Sequence, residues 1–214
     1  MRIQDVKKLF EDNLESQIMS SELQTCNIFS LKERVDEWKN DGYTIVFTAG
    51  VFDIFTVNHL LALYHYKMLG GNRSKLIVSI DTDERVRVVK SSIKAKGNLT
   101  KPILSWKSRS LMVAKQTFRN RESLVDIIVQ HGNDTCRDMR CPHDDNVTIA
   151  EEISPDIIVV TDTSADTIKK IQNSQYINNK NLLVINENEL SYYDILLGGK
   201  ISTSSIIKKI QNAH

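Results

Sequence analysis

Residues 48–59 read Thr48-Ala49-Gly50-Val51-Phe52-Asp53-Ile54-Phe55-Thr56-Val57-Asn58-His59 and join two segments of opposite character. The run 44–48 is rich in β-branched and aromatic residues, as a strand requires. Beyond it, Leu60-Leu61-Ala62-Leu63 opens a helix predicted over 58–69. An anion at the start of that helix would meet free N–H groups and the positive end of the helix dipole. Gly50 supplies either a positive φ or room for a ligand to approach the backbone. Thr56 or Asn58 can cap the helix, and His59 falls in its first turn with its ring directed at the same anion. The helix terminus disfavours an imidazolium there, whereas a bound phosphate favours it and makes the ring a hydrogen-bond donor. Taken alone, a histidine beside two leucines is equally an ordinary structural polar group.

Outward from this stretch, short apolar runs alternate with helical periodicity. Strands are predicted at 44–48, 75–80, 125–130, 156–160 and 182–186. Helices are predicted at 58–69, 83–90, 107–118, 146–153, 164–173 and 203–212. The strands are nearly continuous in apolar residues, as expected when helices cover both faces of a parallel sheet, and the order argues for a doubly wound α/β domain over 41–214. Residues 1–40 read as a helical N-terminal extension. There Val6, Phe10, Leu14 and Ile18, then Leu31, Val35 and Trp38, recur every three or four positions, with Ser20 or Ser21 and Ser30 as candidate caps. Ligands in such sheets bind beyond the carboxyl ends of the strands. Attention therefore falls on the loop after the first strand, on 81–101, on the loop after Val160 and on the turn before the last helix.

Composition narrows the function classes. With 214 residues, 41% hydrophobic and 26% charged, the chain can bury a core without a metal or disulfide. Lys plus Arg number 28 against 27 Asp plus Glu, so few cations are unopposed and a nucleic-acid backbone is not the expected partner. Small phosphorylated ligands remain compatible. Three cysteines without a secretory signal point to a reducing, cytoplasmic setting, and no apolar run reaches the roughly 20 residues of a spanning helix. Cys136, Cys141 and His143 match no strong zinc spacing, and no dedicated metal site is expected.

A second anion-binding helix start is written near the C-terminus. Gly198, Gly199 and Lys200 precede Ile201-Ser202-Thr203-Ser204, whose hydroxyls can cap the final helix and hold a phosphate, although such starts are often plain caps.

The GxFDxxTxxH arrangement of Gly50, Phe52, Asp53, Thr56 and His59 resembles the signature of the cytidylyltransferase-like nucleotidyltransferase superfamily. The likeness is nearest to the adenylyltransferase domain of ADP-heptose synthase and to glycerol-3-phosphate or choline-phosphate cytidylyltransferases. It continues through Val78 to Lys90, Lys101-Pro102, Arg109, the strands 125–129 and 155–159, and Ile201-Ser202-Thr203-Ser204. Three departures stand out: Asn58 replaces a glycine, Val160-Thr161-Asp162-Thr163 replaces a Lys-Gly-Gly-Asp loop, and Leu197-Gly198 stand where cytidylyltransferases carry Arg-Thr.

The resemblance implies a Rossmann-like sheet of nucleotidyltransferase type. The implied reaction is AMP or CMP transfer from a nucleoside triphosphate to a small phosphorylated sugar, polyol or alcohol, with release of pyrophosphate. His59, Thr56, Lys90 and Arg109 would be the catalytic set. Thr48, Ala49, Gly50, Val51, Phe52 and Asp53, with Lys200, Ile201, Ser202, Thr203 and Ser204, would hold the nucleotide, and Asp81 and Asp83 would shape the acceptor side. Mg²⁺ would arrive with ATP or CTP, and a homodimer is expected because relatives commonly pair. Two alternatives stay open: a nucleotide-binding sensor or scaffold on the same fold, and a pantetheine-phosphate adenylyltransferase-like enzyme.

Overall fold

In the computed structural model, which describes residues 28–91, 101–117, 122–131, 146–162 and 164–186, helices and strands alternate along the chain. Helix α1 (Ile28–Asn40) leads into β1 (Thr44–Gly50), α2 (Val57–Leu69), β2 (Ser74–Asp81), α3 (Asp83–Ser91) and α4 (Trp106–Ala114). Then follow β3 (Ile127–His131), α5 (Asn146–Ile153), β4 (Ile157–Thr161), α6 (Ala165–Asn173) and β5 (Leu182–Ile185). The strands form one parallel sheet in the order β3-β2-β1-β4-β5. The chain steps outward from β1 through β2 to β3, then returns to the other side of β1 for β4 and β5. The order therefore reverses between β1 and β4, and in such sheets the ligand crevice opens at the carboxyl ends of those two strands.

Successive strand residues point into opposite layers, and both layers are dry. Ile45, Phe47, Ile77, Ile127 and Ile158 pack with Leu31 and Val35 of α1, Ile153 of α5 and Ile171 of α6. Val46, Leu76, Val78, Ile80 and Val159 pack with Leu63 and Tyr66 of α2 and Val113 of α4. Burial on both faces is why these strands are written in unbroken apolar runs. Each such side chain contributes about 1.5–3 kcal/mol by leaving water. Helix α1 is a full member of the first layer, since Leu31 and Val35 are completely buried. Lys39 adds hydrogen bonds to the carbonyls of Ile153 (3.1 Å) and Ser154 (2.6 Å), at the negative end of α5.

Several expected boundaries shift for local reasons. Helix α1 starts at Ile28, so Ser30 lies inside its first turn and does not cap it. Helix α4, expected to reach residue 118, stops at Ala114 because Thr117 turns out to bridge Ser123 in antiparallel fashion. Strand β3 begins at Ile127, two residues late, because Asp126 exchanges bonds with Leu76: its N–H donates to the Leu76 carbonyl, and its carboxylate accepts the Leu76 N–H. The apolar series Val6, Phe10, Leu14 and Ile18, with Ser20, Ser21, Cys136, Cys141, His143, the helix at 203–212 and the element Lys200, Ile201, Ser202, Thr203 and Ser204, lies outside the described residues. Among the described residues, no helix is long and apolar enough to cross a membrane.

Candidate active site

The turn from β1 into α2 is held from three sides. Thr48, at the end of the apolar part of β1, is buried and donates its hydroxyl to the Val159 carbonyl of β4 (3.1 Å), tying the two strands that flank the crevice. Gly50 has no positive φ; the left-handed residue is Phe52, at φ 50°. The glycine is needed because the Phe52 ring folds back over it, so that a Cβ on Gly50 would lie 2.9 Å from Phe52 Cε2. A left-handed phenylalanine costs about 1–2 kcal/mol, and the neighbouring contacts hold it in place. Asp53, 7% exposed, accepts the backbone N–H groups of Ile103 (2.7 Å) and Leu104 (3.0 Å) through Oδ1. Its Oδ2 is buried without a hydrogen-bond partner among the described residues.

Thr56 caps α2 in extended conformation, and the residue three positions on completes a capping box. That residue is His59, in place of the usual Glu or Gln. The Thr56 N–H donates to His59 Nδ1 (3.0 Å), while the His59 N–H donates to Thr56 Oγ1 (3.5 Å). Because Nδ1 accepts an N–H, the neutral ring carries its proton on Nε2. The ring lies edge-on to Phe52, 5.4 Å between centroids, and 5.8 Å from Phe55. Burial between these phenylalanines holds the imidazole below its usual 6.5, and a hydrogen bond to the Ile54 backbone opposes that only in part. His59 is thus a neutral N–H donor at the amino end of a helix.

Arg109, expected in the catalytic set, is enclosed by protein partners. It is completely buried. Its Nε donates to the Leu104 carbonyl (3.1 Å), Nη1 to Val51 (2.5 Å), and Nη2 to the Asp81 carbonyl (2.7 Å) and the Asp83 carboxylate (2.7 Å). One guanidinium therefore stitches the loop after β1, the end of β2, the first turn of α3 and the segment before α4. Asp83 is spent on Arg109, and the Asp81 carboxylate lies 3.4 Å from Arg85 Nε. Lys90 lies in the last turn of α3, and its side chain is outside the described set. The structure thus gathers Thr48, Ala49, Gly50, Val51, Phe52, Asp53, Thr56 and His59 at one strand end, with Arg109, Asp81 and Asp83 bracing it from behind.

Sequence reasoning missed the space beside this loop. A cavity of about 490 Å³ opens between α3 and α4, lined by Thr82, Asp83, Glu84, Arg87, Ser105, Trp106, Lys107 and Gln130. Ser105 caps α4, accepting the Ser108 N–H (3.3 Å), and Trp106 Nε1 donates to the Ile80 carbonyl (3.1 Å). The available signal was a lone glutamine, Gln130, at the end of the apolar run of β3. Among the described residues no group of three or more His, Cys, Asp or Glu is placed to hold a metal ion.

Comparison with known proteins agrees with this geometry. Residues 47–209 match the profile of a family described as cytidylyltransferase-like. Relatives include the bifunctional protein HldE of Helicobacter pylori, 27% identical over 188 residues, covering 87% of this chain and 32% of the relative. HldE of Campylobacter fetus is 29% identical, covering 86% and 31%. HldE of Methylobacillus flagellatus is 28% identical over 134 residues, covering 62% and 24%. The chain spans about a quarter to a third of the length of these relatives. With most of the sheet and the β1 turn inside the matched span, the chain belongs to the cytidylyltransferase-like family of nucleotidyltransferases.

Proposed function

We propose that this domain transfers AMP or CMP from a nucleoside triphosphate to the phosphate of a small sugar, polyol or alcohol, releasing pyrophosphate. The carrying observation is His59, held by the capping box as a neutral donor at the amino end of α2, beside the β1–β4 crevice. In the reaction an acceptor phosphate oxygen attacks the α-phosphorus. The bond from that phosphorus to the bridging oxygen breaks, and pyrophosphate takes the electron pair. The attacking oxygen is already anionic near neutral pH, so no protein nucleophile or strong base is required. Catalysis then rests on positioning and on donors aimed at developing charge.

His59 Nε2–H donates to an α-phosphate oxygen as charge builds, leaving its bond to Ile54. The positive end of the α2 dipole adds to this. Thr56 acts through the ring, since its N–H and hydroxyl are both engaged with His59. Arg109 acts as a positioning residue by fixing the Val51 carbonyl and Asp83. Lys90 and Lys200, with Ser202, Thr203 and Ser204, are the proposed contacts of the remaining phosphate oxygens. Mg²⁺, bound by triphosphate oxygens and water, would neutralise charge on the leaving pyrophosphate.

The test is pyrophosphate release with ATP, CTP, GTP and UTP against sugar, polyol and amino-alcohol phosphates in the presence of Mg²⁺. Turnover dependent on one nucleotide and one acceptor class is expected. Nucleotide binding without turnover across the panel would replace this reading with that of a nucleotide sensor.

A further inference from the structure

Phe52 stands between two clamps. Arg109 Nη1 holds the carbonyl of Val51, and the N–H groups of Ile103 and Leu104 hold the carboxylate of Asp53. Leu104 joins the clamps, because its N–H donates to Asp53 and its carbonyl accepts Arg109 Nε. The backbone on both sides of Phe52 is therefore tied to the segment before α4, and Phe52 itself takes the left-handed φ of 50°. A strained residue of this kind persists only where its surroundings over-determine it, and such residues cluster at active sites.

The residue types run against what the backbone alone favours. Glycine is the usual occupant of a positive φ, yet phenylalanine stands at 52 and the glycine stands at 50, where φ is not positive. The ring requires that glycine, since a Cβ on Gly50 would lie 2.9, 3.3 and 3.4 Å from three atoms of the Phe52 ring. A left-handed aromatic residue and a bare strand end thus serve to bring one ring to one place. Part of what the ring meets there is the second core layer, which any apolar side chain could cover. The rest is the imidazole of His59, met edge-on with 5.4 Å between centroids and 63° between planes.

That contact matters most when the ring acts. Thr56 N–H holds the imidazole at Nδ1, and in the resting site the Ile54 backbone takes a second bond. The Ile54 bond is given up when Nε2–H turns to phosphate. One hydrogen bond then remains, and the second side-chain torsion of a histidine is broad enough for the ring to swing about it. An edge-to-face contact has a preferred angle and restricts that swing. Phe55, 5.8 Å from the imidazole and tilted by only 31°, does not supply the same crossing angle.

Resting on the nucleotidyltransferase reading, we infer that Phe52 is a positioning residue, whose ring, held by the Arg109 and Asp53 clamps, fixes the plane of the His59 imidazole so that Nε2–H faces the reacting phosphate.

The test reads ring orientation and turnover separately. Phe52→Leu keeps an apolar side chain on the core and removes the ring, whereas Phe52→Tyr keeps the ring. Phe55→Leu removes the neighbouring ring for comparison. Long-range ¹H–¹⁵N spectra of histidine-labelled full chain at pH 8 report the two nitrogens of each of its five imidazoles, and His59→Gln assigns the one in question. The parent should show a single His59 tautomer, bare at Nδ1 and protonated at Nε2. Phe52→Leu should average the two nitrogens, and Phe52→Tyr should not. In pyrophosphate release with Mg²⁺, Phe52→Leu should lower kcat about tenfold and leave the triphosphate KM within about twofold of the parent. Phe52→Tyr should restore kcat.

Averaged nitrogens in Phe52→Leu, with no pyrophosphate release by the parent, would keep the orienting role of the ring and remove the transferase reading. Turnover by the parent, with neither the nitrogens nor kcat altered in Phe52→Leu, would do the reverse. A loss of kcat that Phe52→Tyr does not restore, or an equal loss in Phe55→Leu, would overturn the assignment, because the ring would then act through packing alone.

Discussion

Helix α2 carries a basic side chain at each end, His59 half-buried and Lys67 buried, and the two are treated in opposite ways. At the amino end, His59 sits between two phenylalanines with only neutral hydrogen-bond partners among the described residues, and burial pushes the ring toward its neutral form. At the carboxyl end, Lys67 is 8% exposed and ion-paired to Asp126, whose other oxygen takes Lys75 at 3.1 Å. Burial lowers Lys67 too, but the Asp126 carboxylate works against it, and the Leu76 N–H anchors that carboxylate. The carboxyl end is an electrostatic clamp that fixes helix to sheet. At the amino end the titratable group has no counter-charge among the described residues. One helix thus joins an ion-paired anchor to an uncharged hydrogen-bond donor.

The largest effect should come from the brace behind the amino end. Arg109→Met strands three carbonyls and the Asp83 carboxylate, and should cost roughly 4–5 kcal/mol. Thermal melting would register this as a drop of roughly 10–15 °C for a chain of this size. Next comes the clamp. Asp126→Asn removes the carboxylate that pairs with both Lys67 and Lys75 and should cost about 3 kcal/mol in urea unfolding. Thr56→Ala removes one half of the capping box and should cost about 1 kcal/mol. The smallest change is Lys67→Met, within about 1 kcal/mol of the parent in either direction, because Asp126 keeps Lys75 and the Leu76 N–H. A large loss from Lys67→Met together with a small one from Asp126→Asn would invert the clamp as described.

The two ends also differ in pH response. His59 has a folded pKa below its unfolded 6.5, so folding opposes its protonation. Its contribution to stability is complete above pH 6.5 and is lost as the pH falls through the folded value. His59→Gln preserves a capping box, since Gln is a normal partner for Thr at that position, and does not titrate. The melting temperature of the parent should therefore fall between pH 6.5 and 5 more steeply than that of His59→Gln.

The sheet was legible because burial on two faces leaves a simple trace, an unbroken run such as Leu76 to Ile80. The β1 turn was legible as a strand-to-helix turn that brings Gly50 through His59 to one strand end, but its mechanics were not. Gly50 looked like the residue needing a positive φ, whereas Phe52 takes it and Gly50 makes room for the Phe52 ring. Arg109 stood out as a residue, yet its partners Val51 and Asp81 lie 58 and 28 positions away, beyond any local pattern. The capping role of His59 was hidden because the box is usually closed by Glu or Gln. The cavity was invisible for a similar reason, since Trp106 and Gln130 meet only through the register of β2 and β3.

The most direct test of the account is steady-state pyrophosphate release by the parent and by His59→Glu, at pH 7.5 with Mg²⁺ and the preferred nucleotide and acceptor. Glutamate closes the same capping box, so the melting temperature should match the parent's, while a carboxylate offers no N–H donor to the phosphate and should lower kcat roughly 100-fold or more. Equal kcat in the two proteins would contradict the claim that His59 delivers its proton-bearing nitrogen to the reacting phosphate.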